Sequence, residues 1–201
     1  MTEDSSRPVR GRPRTMSAQK VLDVAMTAYW LGDPADVSMN AICQMAGVSK
    51  PSVYREFGNE DGLACSALNQ YAERVLSEML AILHRGTPLR ETLDALIYFA
   101  SDDPRVDKGC LFYKMRAGKH RLGPETRARL NEIDAAAYAA YAGFLQARSD
   151  AGDGPSSLPV AVAANYLSEQ MALAITQRGQ GEDKARIRQV LELALSVLAR
   201  P

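Results

Sequence analysis

Two short segments with helical spacing, separated by a tight turn, constrain this chain more than any other feature of its sequence. Ser38 precedes the first segment and Ser49 precedes the second, which runs to about Phe57, and both serines are predicted N-caps. Between the segments, Ala46 is small enough for two helices to cross closely, and Gly47 can adopt the positive φ of a tight turn. The pattern predicts a helix-turn-helix, a motif whose second helix enters the major groove of DNA.

Helical spacing extends over the rest of the chain. Apolar residues recur every three or four positions, Ser17 and Asn59 are further predicted N-caps, and Gly-Pro breaks end the segments. No stretch alternates between apolar and polar residues as a half-buried strand would. The sequence therefore predicts an all-α protein of about nine helices, at about 17–31, 38–45, 49–57, 59–84, 88–101, 108–119, 124–149, 158–178 and 182–199.

Composition and motifs argue against several other classes of protein. The three cysteines and two histidines are scattered, so we expect no disulfide framework, no metal site and no cofactor. Walker, GxGxxG, GxSxG and HExxH motifs are absent from the sequence, so an enzyme is not expected. Without a run of about 18 apolar residues or an apolar signal-peptide core, the chain is expected to be cytoplasmic and to have no membrane segment.

The N-terminal residues are basic although the formal net charge of the whole chain is zero. Arg10, Arg12 and Arg14 alternate with Gly11 and Pro13, which discourage helix, and the run resembles the Gly-Arg-Pro core of AT-hook peptides. Arginines in an extended segment suit a narrow, electronegative minor groove. These three arginines are therefore predicted DNA contacts, the alternative being a solvated tail.

The turn and its flanking aromatic residues resemble the DNA-binding signature of the TetR family of bacterial transcription regulators. The likeness rests on Ala46-Gly47-Val48-Ser49, on Tyr54 and Phe57 after it, and on Trp30 late in the first helix. It covers about residues 10–70; in the remainder, helix number and Gly109-Cys110-Leu111-Phe112 are similar. The resemblance implies an arm over residues 1–15, a DNA-binding domain over 16–58 and a ligand-binding and dimerisation domain over 59–201.

Two positions depart from the pattern of the family. Relatives carry Gly-Tyr or Gly-Phe shortly after the aromatic residue that ends the first helix, where this chain has Leu31-Gly32-Asp33-Pro34, so we expect a reshaped loop. Relatives also have a Lys that approaches a phosphate where this chain has Glu60, which would repel one. Glu60 and Asp61 nevertheless suit the N-terminus of the helix that follows Asn59.

The resemblance assigns the DNA contacts to the two short helices. It makes Tyr54 and Ser38 phosphate contacts. Lys50 is the better phosphate candidate of the two basic residues on the second helix, and Arg55 either reads a guanine edge or stays solvated. The complete predicted set comprises Arg10, Arg12, Arg14, Ser38, Ser49, Lys50, Ser52, Tyr54 and Arg55.

Aromatic residues concentrate in the helices predicted at 88–101, 108–119 and 124–149. Most are expected to be core, but some could line a pocket for an unknown small-molecule effector. The predicted pocket residues are Tyr98, Phe112, Tyr113, Tyr138 and Tyr141. Eight basic residues between Arg105 and Arg129 could attract an anionic ligand or form a solvated face. Cys110 is either a redox sensor or a buried, inert thiol.

The last two helices carry apolar stripes that predict a homodimer. Pairing them with a symmetry mate would make a four-helix bundle. The stripe residues are Leu158, Val162, Tyr166, Met171 and Ile175 on one helix and Ile187, Val190, Leu191, Ala194, Val197 and Leu198 on the next. The combined prediction is a homodimeric repressor that binds a double-stranded DNA operator and is released by an effector. An effector-independent or activating DNA-binding protein remains the alternative.

Overall fold

The computed structural model describes residues 15–155 and 158–199, and within these ranges it contains nine helical rods and no strand. This confirms the predicted all-α class. The helices are α1 (Thr15–Leu31), α2 (Met39–Ala46), α3 (Lys50–Phe57), α4 (Glu60–Tyr71), α5 (Ser77–Leu83), α6 (Leu89–Ser101), α7 (Leu111–Ala117), α8 (Pro124–Asp150), α9 (Val160–Gly179) and α10 (Lys184–Leu195). A π-helical turn, Ala72–Leu76, joins α4 and α5 into one rod. No helix in the described ranges is long and apolar enough to cross a membrane.

The helix-turn-helix of the sequence is present as α2 and α3. Ser38 caps α2, since its hydroxyl accepts a hydrogen bond from the Ala41 N–H at 3.2 Å. Gly47 ends α2 in the left-handed region, at φ 68°, which a residue with a side chain rarely adopts. Met39, Ile42, Cys43 and Ala46 form the buried face of α2.

Two predicted N-caps differ from the structure. Helix α1 begins at Thr15, so Ser17 lies within its first turn instead of capping it. Ser49 occupies the N-cap position of α3 but makes no side-chain cap bond, because its hydroxyl pairs with Ser52 Oγ at 2.9 Å. Asn59 does cap α4, accepting from the Gly62 N–H at 2.8 Å.

The head, formed by α1, α2 and α3, packs on the rest of the protein through α1 and α4. Gln70 of α4 accepts from Gln19 and donates to Asp23 of α1, each at 2.8 Å, and Arg74 pairs with Asp23 at 2.9 Å. Buried residues of the head and of the body, residues 60–199, belong to a single hydrophobic cluster. A displacement of α4 would therefore be transmitted to α1.

The start of α4 is also tied to the start of α8. The Asp61 carboxylate accepts hydrogen bonds from the Glu125 N–H at 2.7 Å, the Thr126 N–H at 3.1 Å and the Thr126 hydroxyl at 2.6 Å. These N–H groups belong to the first turn of α8, which has no partner for them within the helix. Asp61 thus caps α8 from a neighbouring helix.

Helices α9 and α10 use their main apolar stripes inside the protomer. Met171, Ile175, Ile187, Leu191 and Leu198 are all buried, so the prediction that these residues meet a symmetry mate is corrected. They instead pack in the core, where α9 contacts α6 and α8, and α10 contacts α6 and α9. Val162 and Val190 of the predicted stripes are exposed instead, as are Leu173 and Leu193 on the same two helices.

Candidate nucleic-acid interface

Helix α3 presents a polar face to solvent and a single buried anchor to the head. Val53 is buried, whereas Lys50 and Arg55 are exposed and Tyr54 keeps 38% of its surface exposed. This arrangement follows from the length of α3, because an eight-residue helix buries one narrow stripe and leaves the other side free. The exposed residues of α3 bear hydroxyl, ammonium and guanidinium groups, together with the carboxylate of Glu56.

The exposed side chains of α3 contact one another. Lys50 Nζ lies 5.7 Å from the centre of the Tyr54 ring, and Arg55 Nη2 donates to Ser52 Oγ at 3.5 Å. The pair of hydroxyls of Ser49 and Ser52 begins the same row. These contacts link the five predicted DNA-contacting residues in and just before α3 into two groups, Lys50 with Tyr54 and Ser49 with Ser52 and Arg55.

Ser38 lies at the start of α2, exposed at the entrance to the helix-turn-helix. Its oxygen accepts the Ala41 N–H, which leaves the hydroxyl proton free to donate to a second acceptor. The N-terminus of a helix favours negative charge, so this position suits a phosphate oxygen. Arg10, Arg12 and Arg14, the other predicted contacts, lie outside the described residues.

Glu60, the acidic residue at the family's lysine position, is exposed at the start of α4. Burial raises the pKa of the Tyr29 phenol in α1, and the negative charge of the nearby Glu60 carboxylate raises it further. Glu60 therefore adds negative charge near the joint of α1 and α4.

A cavity of about 190 Å³ lies inside the body, between the π turn and α5 on one side and α7 and α8 on the other. Phe112 and Tyr113, two of the five predicted pocket residues, line it together with Met79 and Ile133. Arg129 and Glu132 add charged groups to a mainly apolar lining. Since apolar cavities of about 150 Å³ admit small aromatic molecules, this cavity has room for a small, mainly apolar ligand. Helix α6, which was predicted to contribute, does not line it.

The other three predicted pocket residues lie elsewhere. Tyr98 is 56% exposed on α6, on the side opposite the buried stripe of Leu93, Leu96 and Ile97, which corrects its prediction as a pocket residue. Tyr141 is fully buried as core, and its hydroxyl donates to Met79 Sδ at 3.3 Å. Tyr138 lines a groove on the outer side of α7, α8 and α9. Periodicity placed these residues on helices but could not tell which side of each helix meets the cavity.

Cys110 is buried at the start of α7, and its burial raises the pKa of the thiol. A thiol held in its protonated form is a poor nucleophile. This observation favours the inert alternative over a redox sensor.

Several side chains that fix the site gave no sequence signal. Asp61 bonds to residues about 65 positions away, and Arg121 pairs with Asp33 at 2.8 Å across 88 positions and also with Asp36. Each is an ordinary charged residue within a helix or loop, so only its distant partner identifies its role.

Residues 21–65 match the family model described as bacterial regulatory proteins of the tetR family. The HTH-type transcriptional repressor BdcR of Escherichia coli (strain K12) is 27% identical over 127 residues, which are 63% of this chain and 64% of that repressor. The aligned region therefore spans just under two thirds of the relative.

Solved structures share the fold over nearly the whole chain. The reduced form of NemR from E. coli superposes with a TM-score of 0.80 at 16% identity, covering 92% of this chain and 98% of NemR. A cysteine mutant of the regulator CifR, complexed with 26-base-pair double-strand operator DNA, gives a TM-score of 0.74 at 18% identity, over 96% and 100% of the two chains. The head therefore matches the tetR family of bacterial regulatory proteins over residues 21–65, and the chain as a whole shares the fold of these solved regulators.

Proposed function

We propose that this protein is a DNA-binding transcription regulator, acting in the cytoplasm as a homodimeric repressor that a small molecule releases from its operator. The exposed face of α3 carries the proposal, since Ser49, Lys50, Ser52, Tyr54 and Arg55 lie together on it. The name of BdcR as a repressor and the operator complex of CifR support it.

In the proposed complex, α3 enters the major groove and its side chains divide between backbone and bases. Lys50 and Tyr54 contact phosphates, which fix the register without reading sequence. Arg55 and Ser52, which contact each other, reach base edges, where an arginine can bind guanine with two hydrogen bonds. Ser38 donates to a phosphate at the start of α2, and Arg10, Arg12 and Arg14 follow the minor groove.

The proposed switch uses the body cavity between α5, α7 and α8. The rod formed by α4 and α5 lines the cavity with residues of its π turn and of α5. At the other end of the rod, α4 contacts α3 directly. Short π segments inside helices often occur at functional sites. A ligand beside Phe112 and Tyr113 that prefers the DNA-free arrangement would move this rod and weaken DNA binding by about 5- to 150-fold.

Fluorescence anisotropy with labelled fragments from the region upstream of the protein's own gene tests the DNA-binding proposal. Tyr54→Phe removes one hydrogen bond to a charged phosphate, worth about 1.5–3 kcal/mol, and is expected to weaken binding roughly 12- to 160-fold without changing sequence preference. Lys50→Ala is expected to lower the log–log salt slope by about 0.9, one phosphate contact. Deleting residues 1–14 should weaken binding and lower the slope further.

Arg90→Ala is the matched control. Arg90 is exposed on α6, away from α3, and its guanidinium lies 3.9 Å from the Asp94 carboxylate, which makes a weak ion pair. Its loss should leave affinity and slope unchanged. If Tyr54→Phe and Lys50→Ala bind as the unmodified protein does, α3 is not the DNA-contacting helix.

A further inference from the structure

A second cavity, of about 390 Å³, lies where the head meets the body. It has about twice the volume of the body cavity and falls within the range of small-molecule pockets. Three segments far apart in the chain form its walls: the loop after α1, one side of α7 with the residues that flank it, and the C-terminal end of α9. The loop is Gly32-Asp33-Pro34, the stretch that departs from the family pattern.

Contacts between backbones hold these walls in place. A Cβ built on Gly179 would lie 2.7 Å from Gly109 Cα. The backbone at the end of α9 therefore touches the backbone just before α7. Gly109 has φ 74°, and its carbonyl accepts a hydrogen bond from the Trp30 indole N–H at 2.9 Å. The cavity is therefore a fixed feature of the joint between α1, α7 and α9.

Lys114 contributes the one ammonium among the residues that line this hinge cavity. Its Nζ donates to the Trp30 carbonyl in the last turn of α1. In a longer helix that carbonyl would accept the N–H of residue 34, but Pro34 has none, so the lysine replaces the missing donor. An ammonium has three N–H donors, and this contact uses one of them.

Apart from Lys114, the lining of the cavity is suited to the apolar part of a ligand. Asp33, the other charged residue in the lining, is already engaged with Arg121 at 2.8 Å and with the Ala35 N–H at 2.9 Å. Pro34, Cys110, Tyr113 and Ala117 make the rest largely apolar. Lys114 is half-buried, and the resulting loss of hydration lowers its pKa, which a bound anion would offset.

We propose that the hinge cavity binds a small monocarboxylate, with the carboxylate on Lys114 and the apolar part against Pro34, Tyr113 and Ala117. A carboxylate accepts a stronger hydrogen bond than a neutral carbonyl does. The donors that Trp30 leaves unused bind it, and the shift of the ammonium towards the carboxylate weakens its hydrogen bond to the Trp30 carbonyl at the end of α1. Any effect of the carboxylate on DNA binding rests on the proposed function, whereas the binding of the carboxylate to the hinge cavity does not.

Isothermal titration calorimetry of the full chain with octanoate, and with octanamide as its uncharged isostere, tests the site. Trp30 is the only tryptophan of the chain, so its fluorescence reports directly on the hinge. Octanoate is expected to bind at least about tenfold more tightly than octanamide and to change Trp30 fluorescence over the same concentrations. Lys114→Met should abolish this preference, and Ala117→Phe should block both compounds by filling the cavity.

Lys119→Met is the matched control, since Lys119 does not line the cavity and donates to the Asn131 side chain. It should bind octanoate normally. If Lys114→Met proves unfolded by circular dichroism, Lys114→Arg replaces it and should keep the preference for the carboxylate.

Three outcomes overturn the proposal. The first is equal affinity for octanoate and octanamide, and the second is a crystal structure with octanoate beside Phe112 in the body cavity. The third is no saturable binding of octanoate, benzoate or 4-phenylbutyrate up to about 10 mM, where even a weak site would fill. These experiments are carried out without DNA, so they test carboxylate binding even if the DNA-binding proposal fails.

Discussion

Asp103 and Arg105 show at the scale of single residues how the joint between α6 and α7 is held. The Asp103 carboxylate is buried and accepts from the Arg105 backbone N–H at 2.9 Å and from its guanidinium at 2.9 and 2.6 Å. These bonds to Arg105 lower the pKa of Asp103 from its ordinary value of 3.8. The turn that carries the chain towards α7 is thus stabilised in the ionised form of one carboxyl.

Asp103→Asn is expected to change how stability depends on pH. Since the folded protein keeps this carboxyl ionised to lower pH than the unfolded chain does, its stabilisation is complete above about pH 4 and is lost as pH falls through the lowered pKa. The variant should lose roughly 1–3 kcal/mol at pH 7 and show a shallower loss below about pH 4. Urea unfolding across this pH range measures both effects.

Asp94→Asn supplies the comparison, because Asp94 is exposed and only loosely paired with Arg90. Its pH profile should coincide with that of the unmodified protein. An Asp103→Asn profile parallel to the unmodified one would show that this carboxyl has the same pKa in the folded and unfolded states.

At the scale of helices, the junction of α3 and α4 has no room for an additional atom. A Cβ on Gly62 would lie 2.1 Å from the Phe57 carbonyl oxygen at the end of α3. The Gly62 N–H is the one that Asn59 caps, so its backbone position is fixed from both sides. The angle between the proposed recognition helix and α4 therefore depends on a glycine.

Gly62→Ala is expected to lower the free energy of unfolding by about 1–3 kcal/mol or more, because backbone atoms must move apart. It should also weaken operator binding by displacing α3. Gly143→Ala is the matched change within α8, where a Cβ meets nothing within 4 Å.

Gly143→Ala should raise stability by roughly 0.5–1 kcal/mol, since alanine is the better helix former. Thermal unfolding of the two variants in parallel measures the difference. If Gly62→Ala stabilises the protein as Gly143→Ala does, the junction is free to open and does not set the angle of α3.

For the whole molecule, the exposed apolar set on α9 and α10 identifies the surface that we propose for the dimer. Leu193 is 73% exposed, and Val162, Leu173 and Val190 are each about half exposed. Four large apolar side chains on two adjacent helices suit a four-helix bundle with a second copy. In the proposed dimer, each head reads a half-site about one DNA turn, or a multiple of one turn, from the other.

Leu193→Glu is expected to weaken the dimer at least about tenfold, because burying an unpaired carboxylate costs more than about 1.4 kcal/mol. Sedimentation velocity over a range of protein concentrations measures the association. Met45→Glu is the control, since Met45 is similarly exposed but lies in the head.

Met45→Glu should sediment as the unmodified protein does. A monomer for the unmodified protein at micromolar concentration, or a Leu193→Glu dimer of undiminished affinity, would contradict the proposed interface.

Local signals in the sequence were sufficient for most of the secondary structure. Ser38, Gly47 and Asn59 act on backbone groups within a few residues, so the ends of the helices they begin or terminate can be predicted without knowing the fold. The π turn within the rod of α4 and α5 was not predicted, because the buried residues Tyr71, Val75 and Met79 keep the four-residue spacing of an α-helix across it. The same local logic identified the helix-turn-helix and its exposed residues.

Packing determined which of two apolar faces became core and where cavities formed. Met171 and Leu191 lie in the protomer core, whereas Val190 and Leu193 remain on the surface. Lys114 acquired its role from Trp30, a residue 84 positions away in the chain. Hydrophobic spacing specifies that a face is buried but carries no information about its partner, and contacts across such distances exist only once the helices have assembled.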